Sequence, residues 1–204
     1  MLQAARRRIL GLSEAWRQAG LIFLLTRGAL FLMAPFAYLT LPKFDPAVQD
    51  IPPFVDHQLT DRFTGLAHYL FDIWARWDAV WYLKIATDGY SAGDNSTAFF
   101  PLYPFLLAAL KPLFLGNGIL AGMCISLAAC LGAFYLFYRF VEIDFGGPVA
   151  RRALLYLAIF PTSFFFQTIY SESLFLLLTV GCLYAARRQE FMIAGLAGAL
   201  AVLT

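Results

Sequence analysis

Charged side chains are scarce in this chain: 15 Lys and Arg against 13 Asp and Glu, 14% of 204 residues, for a net charge of +2. A nucleic-acid surface needs a basic patch or stripe, and basic residues this few and this scattered do not make one. Histidine is nearly absent, and His57 and His68 lie far from any Cys or Glu cluster at ligand spacing, so no metal site of the zinc type is expected. The three cysteines, Cys124, Cys130 and Cys182, sit inside apolar runs and read as small buried hydrophobes rather than as a disulfide framework. What fills the space is apolar: 61% hydrophobic residues, 17% aromatic, mean hydropathy +0.69. Soluble domains carry about 45–50%. The composition therefore predicts an all-α polytopic membrane protein, with the lipid bilayer as a partner.

Arg6, Arg7, Arg8 and Arg17 precede the run "LIFLLTRGALFLMAPFAYLTL", Leu21 to Leu41. That run exceeds the about 7–15 residues of a signal-peptide core and reads as a first spanning helix, with residues 1–20 cytoplasmic by the positive-inside rule. Arg27 falls near its cytoplasmic end, where snorkelling accounts for it. Further apolar segments follow at Phe99 to Leu115, Ile119 to Phe140, Ala153 to Tyr170, Leu174 to Ala186, and from Phe191 onward. If all of them crossed, Arg139, Arg151 and Arg152 would face outside, against the charge rule. Letting Phe99 to Leu115, broken by Pro101, Pro104 and Pro112, enter the membrane without crossing makes those arginines cytoplasmic together with Arg187 and Arg188. Residues 99–204 then form one membrane domain, and "YSES", with Glu172, faces outside.

Residues 42–98 become an external loop, too long and too aromatic for a mere connector. Its first part, from Pro42 to Phe63, is rich in proline and aspartate and reads as irregular. Its second part, from about Thr64 to Asp88, has helical spacing and a stop at Asp88-Gly89. At about 100° per residue, Trp74, Trp77, Asp78, Trp81, Tyr82 and Ile85 share one side of this helix, with Arg76 and Leu83 opposite. Such a helix would lie along the membrane surface with its rings at headgroup level. A carboxylate on that face is costly unless it has a cavity, a cation or a chemical role. Glu172, far away in sequence, is expected on the same side as Asp78.

Two acids beside an aromatic shelf suit transfer of a sugar from a polyprenyl phosphate to an acceptor hydroxyl. The reaction asks for one carboxylate base, a cationic or dipolar cradle for the departing phosphate, and an apolar groove for the lipid. A base opposite the leaving group inverts the anomeric centre. Trp81 and Tyr82 can take the apolar face of a sugar or isoprene units; Lys84, Arg76 and Lys111 are candidate phosphate contacts, though ordinary interfacial snorkelling accounts better for each. A divalent cation shared by Asp78 and Glu172 is the one cofactor weighed, and two oxygens alone suit a hard cation poorly. The competing classes are an ion-coupled transporter, which would show repeated halves and acids at the bilayer midplane, and a non-catalytic subunit keeping a degenerate enzyme fold.

The stretches "RWDAVWYLKIATDGY", "AFFPLYPFL" and "FPTSFFFQTIYSESLFLLL", followed by "GLAGALAVLT", resemble in order and spacing the N-terminal portion of the PIG-V type mannosyltransferases, the GPI mannosyltransferase II family and its bacterial relatives. The resemblance covers about Leu21 to Thr204. It implies a GT-C glycosyltransferase fold, truncated here, since members run on for several more spanning helices. It implies a multi-pass protein of a bacterial plasma membrane or a eukaryotic endoplasmic reticulum membrane. It implies a polyprenyl-phosphate sugar donor, such as dolichyl phosphate mannose, and a glycolipid or other hydroxyl acceptor. By motif match Asp78 and Glu172 would be the catalytic acids, with Trp77, Phe100, Pro101, Tyr103, Pro104, Tyr170 and Ser171 lining or shaping the site.

Overall fold

The computed structural model of the chain describes residues 2–40 and 63–204. The proline-rich part of the loop, 42–62, and His57 within it lie outside the described residues. The described residues form helices and short 3-10 turns, with no strand among them.

Helix α1 (Leu2–Thr40) is continuous and begins well ahead of the apolar run. Its stretch Glu14–Ala37 is long and apolar enough to cross a membrane, as is α5, and these two are the described helices that meet that test. Between them lie α2 (Leu66–Phe71), α3 (Asp78–Asp88) and α4 (Leu102–Leu110). Helix α5 (Gly118–Phe145), started by the Asn117 side chain accepting from the Leu120 amide at 2.9 Å, is the axis of the molecule. At about 1.5 Å per residue its 28 residues run about 42 Å, more than a hydrocarbon core. Then come α6 (Gly147–Ile159), α7 (Glu172–Arg187) and α8 (Phe191–Val202).

The expected helix over Ala153 to Tyr170 is shorter and shifted. Pro161 cannot donate the hydrogen bond a continuing helix needs, so α6 stops at Ile159 and a 3-10 turn, Pro161–Phe166, takes over. The orphan carbonyls this leaves are met by Arg27. Its guanidinium, only 3% exposed, donates to the Ala158 carbonyl at 2.6 Å, to the Ser163 carbonyl, and to Ser163 Oγ at 3.2 Å. Arg27 therefore does not snorkel toward a membrane surface: it caps α6, where the helix dipole favours a cation.

Helix α5 runs antiparallel to α1 and parallel to α7. Trp16 stacks on Tyr135 with ring centroids 4.2 Å apart, while further along α1 Phe31 faces Trp74 near the opposite end. The α5–α7 contact is close because each helix offers a glycine to the other's leucine. A Cβ on Gly132 would come within 3.0 Å of Leu177, and one on Gly181 within 3.5 Å of Leu136. Leucine filling a glycine notch fixes the axial register of the pair, and with it the height at which Ser171 and Glu172 stand along α5, beside Ser126. A Cβ on Gly198 of α8 would likewise come within 3.4 Å of Cys182 Sγ, whereas one on Gly195 would meet open space. Glu142, Asp144, Arg187 and Arg188 gather at one end of α5; Tyr103, Ser126 and Tyr170 gather near the other.

Candidate active site

The single helix expected over residues 64–88 is two helices with a break. After α2 and a 3-10 turn at Asp72–Trp74 the chain turns at Trp77, with φ 51° and ψ −120°, and α3 starts at Asp78. The one-sided aromatic wheel is thereby overturned. Trp74 is buried in the core, Trp77 points out at 63% exposure, and Leu83, placed opposite the rings by a continuous helix, is buried together with Tyr82 and Ile85. The wheel assumed a constant rotation per residue, and one positive φ resets it.

That break governs the position of Asp78. The Ala79 amide donates to the Arg76 carbonyl at 3.1 Å, closing a four-residue turn whose first central residue has the φ and ψ of a type II′ turn, a glycine position. Tryptophan there costs about 1–3 kcal/mol of backbone strain. Asp78 follows as the first residue of α3, exposed, where an acid suits the helix N-terminus.

The partner strip is Gln167–Glu172, between the 3-10 turn and α7. The Ile169 amide donates to the Trp74 carbonyl at 3.3 Å. Tyr170 Oη accepts from the Asp78 amide and donates to the Arg76 carbonyl, both at 3.2 Å. Tyr82 Oη donates to Ser171 Oγ at 3.0 Å. Behind them Ser126 Oγ, in the middle of an apolar helix, donates to the Tyr170 carbonyl at 3.2 Å and shares a 2.8 Å hydrogen bond with Tyr103 Oη, which also reaches the Gly122 carbonyl at 3.1 Å. Asp78, Tyr82, Tyr170, Ser171 and Glu172, drawn from two segments about ninety residues apart, are thus brought together.

Glu172 is half-buried, and its Oε2 is buried with no hydrogen-bond partner. It precedes the apolar run of α7. Burial first, and then the negative charge of Asp78, push its carboxyl above the ordinary value, while a hydrogen bond from its own backbone amide pulls the other way. An unsatisfied buried carboxylate is expensive and marks a functional candidate.

The other sequence candidates divide. Phe100 is exposed, and Trp81 is half-buried and stacked on Phe99 with centroids 5.6 Å apart. Tyr103 and Pro104 have no surface to offer a substrate; Tyr103 packs on Tyr82 at 4.9 Å and supports it from within. Lys84 pairs with Asp94 and lies 5.4 Å from the Trp81 ring centroid. Lys84 and the Ser96 amide and hydroxyl hold the Asp94 carboxyl down at about 2. Lys111 donates to Thr87 Oγ1 at 3.0 Å. His68 Nδ1 is 2.6 Å from Asp72 Oδ2, and Asp72 also accepts from the Phe63 amide at 3.2 Å, which ties down the start of this segment. Among the described residues no three His, Cys, Asp or Glu side chains cluster as a metal site would require.

Two contributors escaped the sequence reading. Ser126 carried a faint signal, a lone hydroxyl one helical turn after Gly122 in an apolar run. Arg27 carried a stronger one, a guanidinium inside a spanning segment opposite a proline-terminated helix.

No curated protein and no solved structure matches the chain. The family model described as Mannosyltransferase (PIG-V) matches residues 21–202, nearly the whole length and every element around Asp78 and Glu172, and the chain belongs to that family.

Proposed function

We propose that this chain carries the catalytic acids of a membrane glycosyltransferase of GT-C fold, moving a sugar, mannose by family, from a polyprenyl-phosphate donor to an acceptor hydroxyl on the external face. Asp78 is the general base. Its carboxylate takes the acceptor proton as that oxygen attacks the anomeric carbon; the bond from that carbon to the phosphate oxygen breaks, and the polyprenyl phosphate leaves with the electron pair. Attack opposite the leaving group inverts the centre. Glu172 contributes a second acid, and exposed Trp77 and Phe100 offer faces to sugar or lipid.

The observation that carries this reading is that two acids from distant segments are brought within each other's electrostatic reach, with no ion pair to either among the described residues. The clustering of Arg139, Arg187 and Arg188 at the far end of α5 supports the external placement by the positive-inside rule.

The test is Asp78→Asn in the intact chain, reconstituted with the radiolabelled mannosyl phosphate of a short polyprenol. Expected is a loss of transfer of about 10²–10⁴-fold with unchanged insertion. Transfer at the wild-type rate would remove Asp78 as the base.

A further inference from the structure

We infer that Tyr170 is the positioning residue of this site, a clasp whose hydroxyl holds the strained turn at Trp77 closed and thereby fixes the direction of both the Trp77 indole and the Asp78 carboxylate. The inference rests on the reading of Asp78 as the base and adds to it a residue that never touches the reacting atoms.

Trp77 is a bulky side chain at a backbone conformation, φ 51° and ψ −120°, that glycine occupies freely and tryptophan does not. The ring gains little packing in return, since it is 63% exposed. A strained, solvent-facing residue persists only where its surroundings over-determine it.

Within the segment the turn is closed by the Ala79 amide on the Arg76 carbonyl at 3.1 Å; the hold from outside the segment is one hydroxyl group. Tyr170 Oη accepts from the amide on one side of Trp77 and donates to the carbonyl on the other, 3.2 Å in each case. If the turn relaxed toward negative φ, the peptide groups flanking Trp77 would rotate and both hydrogen bonds would be lost together. The clasp is itself held firmly. The Tyr170 ring stacks on Phe165, with centroids 5.3 Å apart and planes 18° from parallel. Its carbonyl accepts from the buried Ser126 hydroxyl at 3.2 Å, which ties it to α5. A rigid strip therefore reaches across to a segment under strain and closes on it at two points.

The consequence is geometric. Asp78 begins α3 directly after the turn, so its carboxylate inherits its direction from Trp77. Displacing a base from an acceptor hydroxyl costs rate without costing binding in proportion.

Tyr170→Phe tests this in the intact chain in lipid nanodiscs, since it deletes the hydroxyl and keeps the stacked ring. Amide hydrogen exchange at Asp78 should accelerate by about tenfold or more, because that amide loses its acceptor. Transfer from the mannosyl phosphate of a short polyprenol should fall about ten- to a hundredfold in kcat, with KM within about twofold. In a Trp77→Gly background, where the turn needs no outside hold, the same substitution should change Asp78 exchange far less. That background also keeps the question decidable if Tyr170→Phe alone misfolds. Unchanged Asp78 exchange in Tyr170→Phe, or faster exchange with an unchanged kcat, overturns the inference, as does an equal response in the glycine background. A wild type that transfers no sugar sinks the reading of Asp78 as a base, while the exchange result still decides whether the clasp exists.

Discussion

At the far end of α5 the acids are matched: Glu14 with Arg17 at 2.8 Å, Glu142 with Arg139 at 2.9 Å, Asp144 with Arg187, and Glu190 with Arg188 at 3.0 Å. At the site end Asp72 and Asp94 also have partners, His68 and Lys84. Among the described residues Asp78 and Glu172 are in no ion pair; Glu172 feels the charge of Asp78, and one of its oxygens is buried without a hydrogen-bond partner. The cores beneath differ in the same sense. The far-end core sets small residues, Ala15, Ala19, Ala133, Ala150 and Ala158, around the buried rings of Phe134 and Tyr138. The site-end core is aromatic and threaded by the hydroxyls of Tyr82, Tyr103, Ser126 and Tyr170. Matched charge and small side chains bring helices close. Hydroxyl bridges spend packing area on fixing direction, which stability alone does not require.

The largest test of that contrast sets Asp78→Asn, with its expected collapse of transfer, against Asp144→Asn at the far end. Asp144→Asn should leave transfer within about twofold of wild type, since the pair it breaks is half-exposed and surface pairs contribute little. If the far-end variant loses as much as the site variant at equal expression, the two ends do not differ in role.

Next in size is Gly122→Ala. A Cβ there would lie 2.4 Å from Ile169 Cγ2. Ile169 is fully buried and β-branched, so it can give way only by moving the strip that carries Tyr170. We expect a destabilisation of about 1–3 kcal/mol, read as a lower melting temperature, and a loss of transfer with it. Gly132→Ala is the comparison. Its Cβ would meet the mobile end of Leu177 at 3.0 Å, and its effect on melting should be smaller and on transfer slight. Equal effects would mean that Gly122 serves only helix packing.

The contrast was half legible in the sequence. Long apolar runs announced α1, α5 and α7, because burial in lipid or protein tolerates little else over such lengths. The resemblance named Asp78, Glu172 and the residues next to them. What the sequence hid depends on one dihedral angle and on contacts across ninety residues. Nothing in "RWDAV" says that tryptophan will take a glycine conformation, because the hydroxyl that makes it tolerable belongs to Tyr170. Arg27 was misread for the same reason: its acceptors, Ala158 and Ser163, exist only once Pro161 has ended α6. Local pattern finds segments, whereas strain and its compensation appear only when segments meet.

A smaller effect should appear in the pH dependence of stability. Glu172 has a folded-state pKa above its ordinary 4.5, by burial and then by the charge of Asp78. For a group raised on folding, the contribution to stability is fully present below the unfolded value and is lost as pH rises through the folded one. Wild type should therefore gain stability relative to Glu172→Gln as pH is lowered from neutrality toward 4.5, and the difference should level off below that. Melting curves of the two proteins across this range decide it. A difference that shrinks on acidification would mean that the charged form of Glu172 is the favoured one in the fold, and the contrast between matched and unmatched acids would fail.

The smallest effect belongs to the far end. Arg187 reaches Asp144 across the α5–α7 pair, but both side chains are about half exposed, 54% and 40%. Water competes for both partners, and ordering two flexible side chains offsets much of their attraction, so Arg187→Ala should barely move the melting temperature. Screening gives the sign a second check: the cost should shrink further in high salt, where exposed pairs weaken. Helix register at this end is set by leucines in the notches at Gly132 and Gly181, which the substitution leaves in place. A clear fall in melting temperature that persists in salt would instead assign the register of α5 and α7 to charge. The site end would then owe its geometry to the ion pair at the far end of the same two helices, and the two ends could not be varied independently.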